Sequence, residues 1–267
     1  MSEEVKEIEI VSEIGKGSFG NVFKATWNRK QLSKDVAVKV FPLDVPQSES
    51  AFEAEVRMGV LLKDCPHCVT IKKAYITDNK GYLVMDLFHG DLFSIQPKLK
   101  FNEAKTSPVF KQICLAINKL HTKRTVHLDI KPDNILLDQN ENVFLADFGS
   151  SAIVPPGAKF KTATGTENYA APEVLNGEAY CPFAADLWSL GVMLYSILTG
   201  KYPKVRKGYS PHKKLSDSCN DLLSSMLQKT PQTRASISRV LEHPWVIGTT
   251  LEPKPAPVIK SRKTKTK

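Results

Sequence analysis

Between Thr125 and Gly149 the chain reads TVHLDIKPDNILLDQNENVFLADFG, and four of its polar residues have types and spacing that suit chemistry. Asp129 offers a carboxylate on a loop, Lys131 a nearby cation, Asn134 an amide and Asp147 a second carboxylate. Two short apolar segments joined by a turn-forming run separate Asn134 from Asp147, which reads as a small hairpin. Such a hairpin carries all these groups to one end of a ribbon. A base, a cation and two oxygen ligands for a hard metal would converge there. Phosphoryl transfer from a Mg-nucleotide needs that set, because the protein contributes mainly positioning and charge neutralisation. A lone Asp on a loop is more often a cap than a base, so the weight rests on the rest of the sequence.

The elements that must position these groups begin with three runs of alternating apolar and polar residues between 7 and 41: EIEIVSEI, NVFKATW and DVAVKVF. Their β-branched and aromatic content predicts a strand meander. Between the first two lies Gly15-Lys16-Gly17-Ser18-Phe19-Gly20, then Val22. A dinucleotide-binding turn uses the same spelling, but there a helix follows, and here a strand pattern does. A glycine-rich hairpin can fold over phosphates because backbone amides approach closely where no Cβ intervenes. An ordinary hairpin would fit the same letters. Lys39 sits in VAVKV, a strand position where lysine is usually solvated. A helical stretch runs from about Ser48 to Leu62, with Ser48 or Ser50 as cap, and contains Glu53 and Glu55. VTIKKAYI and GYLVMDLF form another hairpin, after which the hydrophobic period changes from two to about 3.6. Phe101 to Lys123 reads as a long amphipathic helix capped by Asn102, with Pro108 confined to its opening turns. A strand-rich first third and a helix-rich remainder imply two lobes with a cleft between them.

Taken in order, the glycine loop, Lys39, Glu55, Asp129 to Asn134, Asp147-Phe148-Gly149 and Ala171-Pro172-Glu173 resemble the motif set of the eukaryotic protein kinase family, Ser/Thr type. The likeness runs from about residue 8 to 247. It implies an α+β, bilobed protein-kinase-like fold: a five-stranded antiparallel N-lobe sheet plus one helix, and a mainly helical C-lobe. Residues 1–88 would be the nucleotide-binding lobe, 89–248 the catalytic lobe and 249–267 a basic tail. By the same resemblance, Lys39 grips the α- and β-phosphates while paired with Glu55, or with Glu53 as the alternative. Asp129 accepts or orients the proton of the substrate hydroxyl, and Lys131 neutralises the γ-phosphoryl group of ATP. Asn134 and Asp147 hold Mg2+, for which Mn2+ can substitute. Gly15, Gly17 and Gly20 cover the phosphates, and Met85 is the gatekeeper side chain. The Asp86 carbonyl and Phe88 amide bond the adenine edge, whose ring lies among Ile14, Val22, Ala37 and Leu136. Thr166 bonds the catalytic Asp and Lys, Asp186 anchors the catalytic-loop backbone, and Glu173 pairs with Arg234.

Three departures stand out. The usual H-R-D reads His127-Leu128-Asp129, and leucine cannot bind a phosphorylated residue as the arginine does. Activity is therefore expected without phosphorylation at Thr162, Thr164 or Thr166, unless Lys159 or Lys161 supplies the missing cation. Gly59, four residues after Glu55, replaces the large apolar residue expected behind Phe148, which weakens the helix and its inward seat. The stretch between Gly200 and Leu215 is short, so a helix that relatives carry there is expected to be reduced or missing.

Composition excludes several classes. At 267 residues, 42% apolar and 24% charged, the chain matches ordinary globular proteins. No uninterrupted apolar run reaches the ~18 residues of a membrane span. MSEEVKEIEI is acidic and alternating, unlike a secretory signal. Five cysteines without a framework read as reduced thiols in a cytoplasmic or nuclear compartment. Cys65-Pro66-His67-Cys68 spells a dithiol motif, but a strand rather than a helix follows it, so it reads as a connector. The net charge is +9; residues 251–267 hold +5 and the body +4. The tail is expected to be disordered, either solvated or in contact with nucleic acid or anionic surfaces. By the kinase resemblance, Asp91 and Asp133 occupy positions where kinases directed to basic protein substrates place acids to meet arginines, with the ribose hydroxyl the alternative partner for Asp91 and solvent for Asp133. A monomer is expected. A nucleotide-binding scaffold without catalysis, and a small-molecule kinase, are the competing readings.

Overall fold

The computed structural model describes residues 7–29, 32–99, 102–205 and 208–248. Phe101 and the basic tail lie outside these. The alternating N-terminal runs form β1 (Ile8–Lys16), β2 (Asn21–Arg29) and β3 (Leu32–Pro42). Helix α1 (Pro46–Leu61) follows, then the hairpin of β4 (Ile71–Thr77) and β5 (Lys80–Asp86). The five strands make one antiparallel sheet in the order β1-β2-β3-β5-β4. Because side chains alternate along a strand, β3 divides its residues between two cores. Val36 and Val38 pack with Ala25, Trp27 and Val84 on one face. Ala37 and Phe41 pack with Ala51 and Phe52 of α1 on the other. Lys39 shares the parity of Ala37 and Phe41, so it faces α1 and the cleft.

The start of α1 differs from the sequence expectation. Val45 is the cap residue, Pro46 opens the first turn, and Ser48 and Ser50 lie inside the helix. Proline's fixed φ suits the first helical position, and its missing N–H costs nothing there. That outweighs the serine signal.

The second lobe is mainly helical. A short strand β6 (Gly90–Asp91) leads into α2 (Leu92–Leu99) and α3 (Glu103–Thr122). Asn102 caps α3 by accepting the Lys105 amide at 3.0 Å. Pro108 falls in the second turn of α3. Next come β7 (Thr125–Val126), β8 (Ile135–Leu137), β9 (Val143–Leu145) and β10 (Ala152–Ile153). The remaining helices are α4 (Pro172–Leu175), α5 (Pro182–Thr199), α6 (Asp217–Met226), α7 (Ile237–Leu241) and α8 (Pro244–Ile247). Leucine, isoleucine and methionine side chains of α3, α5 and α6 fill one continuous core with β8 and β9. Among the described residues α5 is the one helix long and apolar enough to cross a membrane, and 67% of it is buried, as expected of a core helix.

No helix forms among the described residues between Gly200 and Ser216. Asn220 takes over the organising role: its side chain accepts from the Tyr209 hydroxyl and the His212 amide and donates to the carbonyls of His212, Leu215 and Ser216.

Candidate active site

The β8–β9 hairpin and the loop before it deliver the polar groups of residues 129–147 to the mouth of a cleft of about 400 Å³ between the lobes. The loop is fixed from beneath. The buried Asp186 carboxylate on α5 accepts the amides of His127 (2.9 Å) and Leu128 (2.8 Å) and contacts the His121 ring. Leu128 thereby adopts φ 66°, a left-handed conformation unusual for leucine. Asp129 is then held by several donors. Its Oδ1 accepts the Thr166 hydroxyl at 2.7 Å, while Lys131 Nζ at 2.8 Å and Asn134 Nδ2 at 3.1 Å reach Oδ2. Lys131 also donates to Thr166 at 2.8 Å. Gly165 makes this possible. It sits at φ 89°, and a Cβ there would lie 2.3 Å from the Leu128 carbonyl oxygen.

On the opposite wall, Lys39 Nζ lies 2.5 Å from Glu55 Oε1 and 2.8 Å from Asp147 Oδ1. Glu55, rather than Glu53, is the partner. Burial pulls the Lys39 ammonium down, but the two carboxylates outweigh it and hold it above the ordinary lysine range. Burial pushes Glu55 up to about 7 against the pull of Lys39. Burial opposes ionisation of Asp147 as well, yet Lys39 keeps it below the usual carboxylate range. Asp147 stands at φ 62°, ψ 72°. That strained backbone turns its carboxylate toward Lys39 while Phe148 goes down into the core beside His127, ring centroids 5.3 Å apart.

The concern raised by Gly59 is resolved by packing. A Cβ on Gly59 would lie 2.5 Å from Ile71 Cδ1, so the β4 side chain fills the space that a larger residue on α1 would take. The neighbouring Met58 is fully buried in the same cluster as Phe148. The helix is seated inward, as the Lys39–Glu55 contact requires.

Ile14, Val22, Ala37, Met85 and Leu136 provide the apolar walls of the cleft, with Asp86, Leu87 and Phe88 along its back. Gly15 and Gly17 line it too. Gly20 does not line it, but it lets the loop close. A Cβ there would meet the Val40 carbonyl at 2.2 Å, so no other residue fits against β3.

Comparison with known sequences decides the family. The model of the protein kinase domain matches residues 8–246. The chain is 34% identical to a carbon catabolite-derepressing protein kinase of Secale cereale, over 91% of this chain and 52% of that one. It is also 34% identical to a probable serine/threonine-protein kinase, MARK-A, of Dictyostelium discoideum, over 90% and 24%. Its identity to the serine/threonine protein kinase OSK3 of Oryza sativa is 34%, over 91% and 51%. The chain belongs to the protein kinase domain family. It spans about half, or less, of these relatives' length.

In this kinase domain Glu173 and Arg234 meet as a buried bidentate pair, at 2.5 and 2.7 Å, beneath the segment that carries Thr166. Two features of the cleft escaped sequence reasoning. Phe93, at the start of α2, stands 61% exposed at the cleft mouth. Its signal in the sequence is no more than an apolar residue two positions after Asp91. Asp91 itself caps α2, accepting the Ser94 amide at 2.8 Å. The Asp86 side chain is clamped by Lys34 (2.7 Å) and Lys72 (2.9 Å). These partners come from β3 and β4, the strands on either side of β5, so the clamp depends on strand order rather than on a local pattern.

Proposed function

We propose that this kinase domain is a serine/threonine protein kinase that transfers the γ-phosphoryl group of ATP to protein hydroxyls. The observation that carries the reading is the convergence, at one cleft end, of the Lys39–Glu55 pair, the Asp129–Lys131–Thr166 cluster, Asn134 and Asp147. The site residues fit a Mg-nucleotide. Asn134 spends its amide donor on the Asp129 carbonyl and carboxylate, at 2.8 and 3.1 Å, which leaves its oxygen as an acceptor for a hard cation beside Asp147. A bound Mg2+ (or Mn2+) would neutralise charge on the phosphates. Lys39 would hold the α- and β-phosphates. Asp129 Oδ1, now accepting from Thr166, would take or orient the proton of the substrate hydroxyl, and Lys131 would screen the charge building on the phosphoryl oxygens. Exposed Asp133, and Asp91 beside the cleft, favour substrates with basic residues near the acceptor. The five cysteines, none of them in a disulfide, favour a cytoplasmic or nuclear site.

We further propose that no activation-segment phosphate is needed. Leu128 and Thr164 line one small recess with Ala170, Val174, Tyr180 and Ser189, and among the described residues no lysine or arginine lines it. Around Thr162 the segment is held by neutral contacts. Phe160 and Tyr180 exchange backbone hydrogen bonds at 2.9 and 2.8 Å, and the Tyr180 hydroxyl donates to the Thr162 carbonyl at 3.0 Å. The scaffold alternative rested on Gly59 and Leu128. With the Gly59 space filled and the Lys39–Glu55 pair formed, no observation favours it.

Peptide arrays carrying Ser, Thr or Tyr acceptors test the reading. Incorporation into Ser and Thr peptides is expected, with the Thr162→Ala/Thr164→Ala protein within about threefold of wild type. Tyr-only incorporation would refute the assignment, and silence of the double variant would refute phosphate independence.

A further inference from the structure

The loop between α1 and β4 contains Cys65-Pro66-His67-Cys68, which closes a tight turn: the Cys68 amide donates to the Cys65 carbonyl at 3.3 Å. A turn of this kind brings its first and fourth Cα within about 7 Å and favours proline second. A disulfide asks for a Cα separation of about 4.4–6.8 Å. The sulfurs already face each other, Cys68 Sγ donating to Cys65 Sγ at 3.0 Å. About 1 Å of sulfur movement therefore reaches the bonded distance of about 2.05 Å. The turn is also pinned. The Leu145 amide donates to the His67 carbonyl at 2.8 Å and the Val69 amide to the Leu145 carbonyl at 2.9 Å, so strand β9 holds the thiols together.

The two sulfurs are chemically unequal. The hydrogen bond from Cys68 outweighs burial and, with the His67 amide, Lys119 and Lys123, brings the Cys65 thiol down to about 7. That same hydrogen bond and burial push Cys68 up. A thioredoxin-type pair needs a helix opening at the motif, which this chain lacks; the proline turn achieves the same juxtaposition.

We propose that Cys65 and Cys68 form a redox-active dithiol that a hydroperoxide converts to a disulfide. The Cys65 thiolate attacks a peroxide oxygen, the O–O bond breaks, and the departing oxygen leaves as water after taking a proton. Cys68 sulfur then displaces hydroxide from the Cys65 sulfenic acid, and its thiol proton leaves with that hydroxide as a second water. The dithiol loses two electrons and two protons; hydrogen peroxide becomes two waters. Burial selects the oxidant. Cys65 is 4% and Cys68 2% exposed, which leaves no room for an oxidant as large as glutathione disulfide, so the oxidant proposed is a water-sized peroxide.

The test uses the full chain, reduced and then treated with hydrogen peroxide, beside a Cys181→Ser form that lacks the exposed thiol. The account expects both proteins to lose about 2 Da within the peptide spanning the turn, with recovery on adding dithiothreitol. Cys68→Ser is expected to stop at the Cys65 sulfenic acid, trapped as a dimedone adduct, and Cys65→Ser to give neither product. Full alkylation of Cys65 and Cys68 after peroxide and denaturation would overturn the proposal, and the wild-type measurement alone decides this if a variant fails to fold. A dimedone adduct on Cys68 rather than Cys65 would overturn the assigned roles.

Discussion

Glu55 is the residue at which charge and position conflict most sharply. It is buried beside Lys39 and carries a raised pKa of about 7 against an ordinary 4.5. Its proton is held more tightly folded than unfolded. The stability it contributes is therefore complete below about pH 4.5 and is lost as pH rises through about 7. Measured without nucleotide, the Tm of wild type should fall relative to Glu55→Gln as pH rises from 5 to 8. A constant difference would show that Glu55 does not titrate in this window. The ion pair with Lys39 needs the ionised form, so the protein gives up stability for the arrangement that its cleft uses near neutral pH.

Two elements show how packing settles what local signals leave open. Gly59 is a poor helix residue, by about 1 kcal/mol relative to alanine. Gly59→Ala would gain that amount, yet its Cβ would press on Ile71 at 2.5 Å, and overpacking costs about 1–3 kcal/mol. Urea unfolding should show a net loss for Gly59→Ala. The double variant Gly59→Ala/Ile71→Ala should be more stable than the sum of the two single losses. Strict additivity would mean that Ile71 does not fill the space. Below the cleft, the Glu173–Arg234 pair ties the segment after Thr166 to the lower lobe, with both side chains almost fully enclosed. Arg234→Met leaves a carboxylate buried without its partner, and should cost about 3–5 kcal/mol in urea unfolding. A loss under about 1 kcal/mol would place the pair among screened surface contacts.

At the scale of the whole molecule, the lobes and most of the site were legible because they rest on local pattern. Alternation in β3 puts Lys39 on the face of Ala37 and Phe41, and the change of period after Phe88 marks the second lobe. What stayed hidden depends on contacts between distant elements. The compensation for Gly59 lies in β4, and the clamp on Asp86 comes from Lys34 and Lys72. The start of α1 was misplaced because Ser48 carries a cap signal that Pro46 overrides. The nearness of the Cys65 and Cys68 sulfurs depends on how the turn seats against β9.

The most direct test of the central claim is transfer of labelled phosphate from Mg-ATP to a mixed basic protein substrate, with wild type beside Asp129→Asn. Wild type should label the substrate. Asp129→Asn should lose about 10²–10⁴-fold in kcat, the worth of a positioned general base, while ATP still raises its Tm. Equal labelling by both proteins, or none by either despite nucleotide binding, would contradict the account.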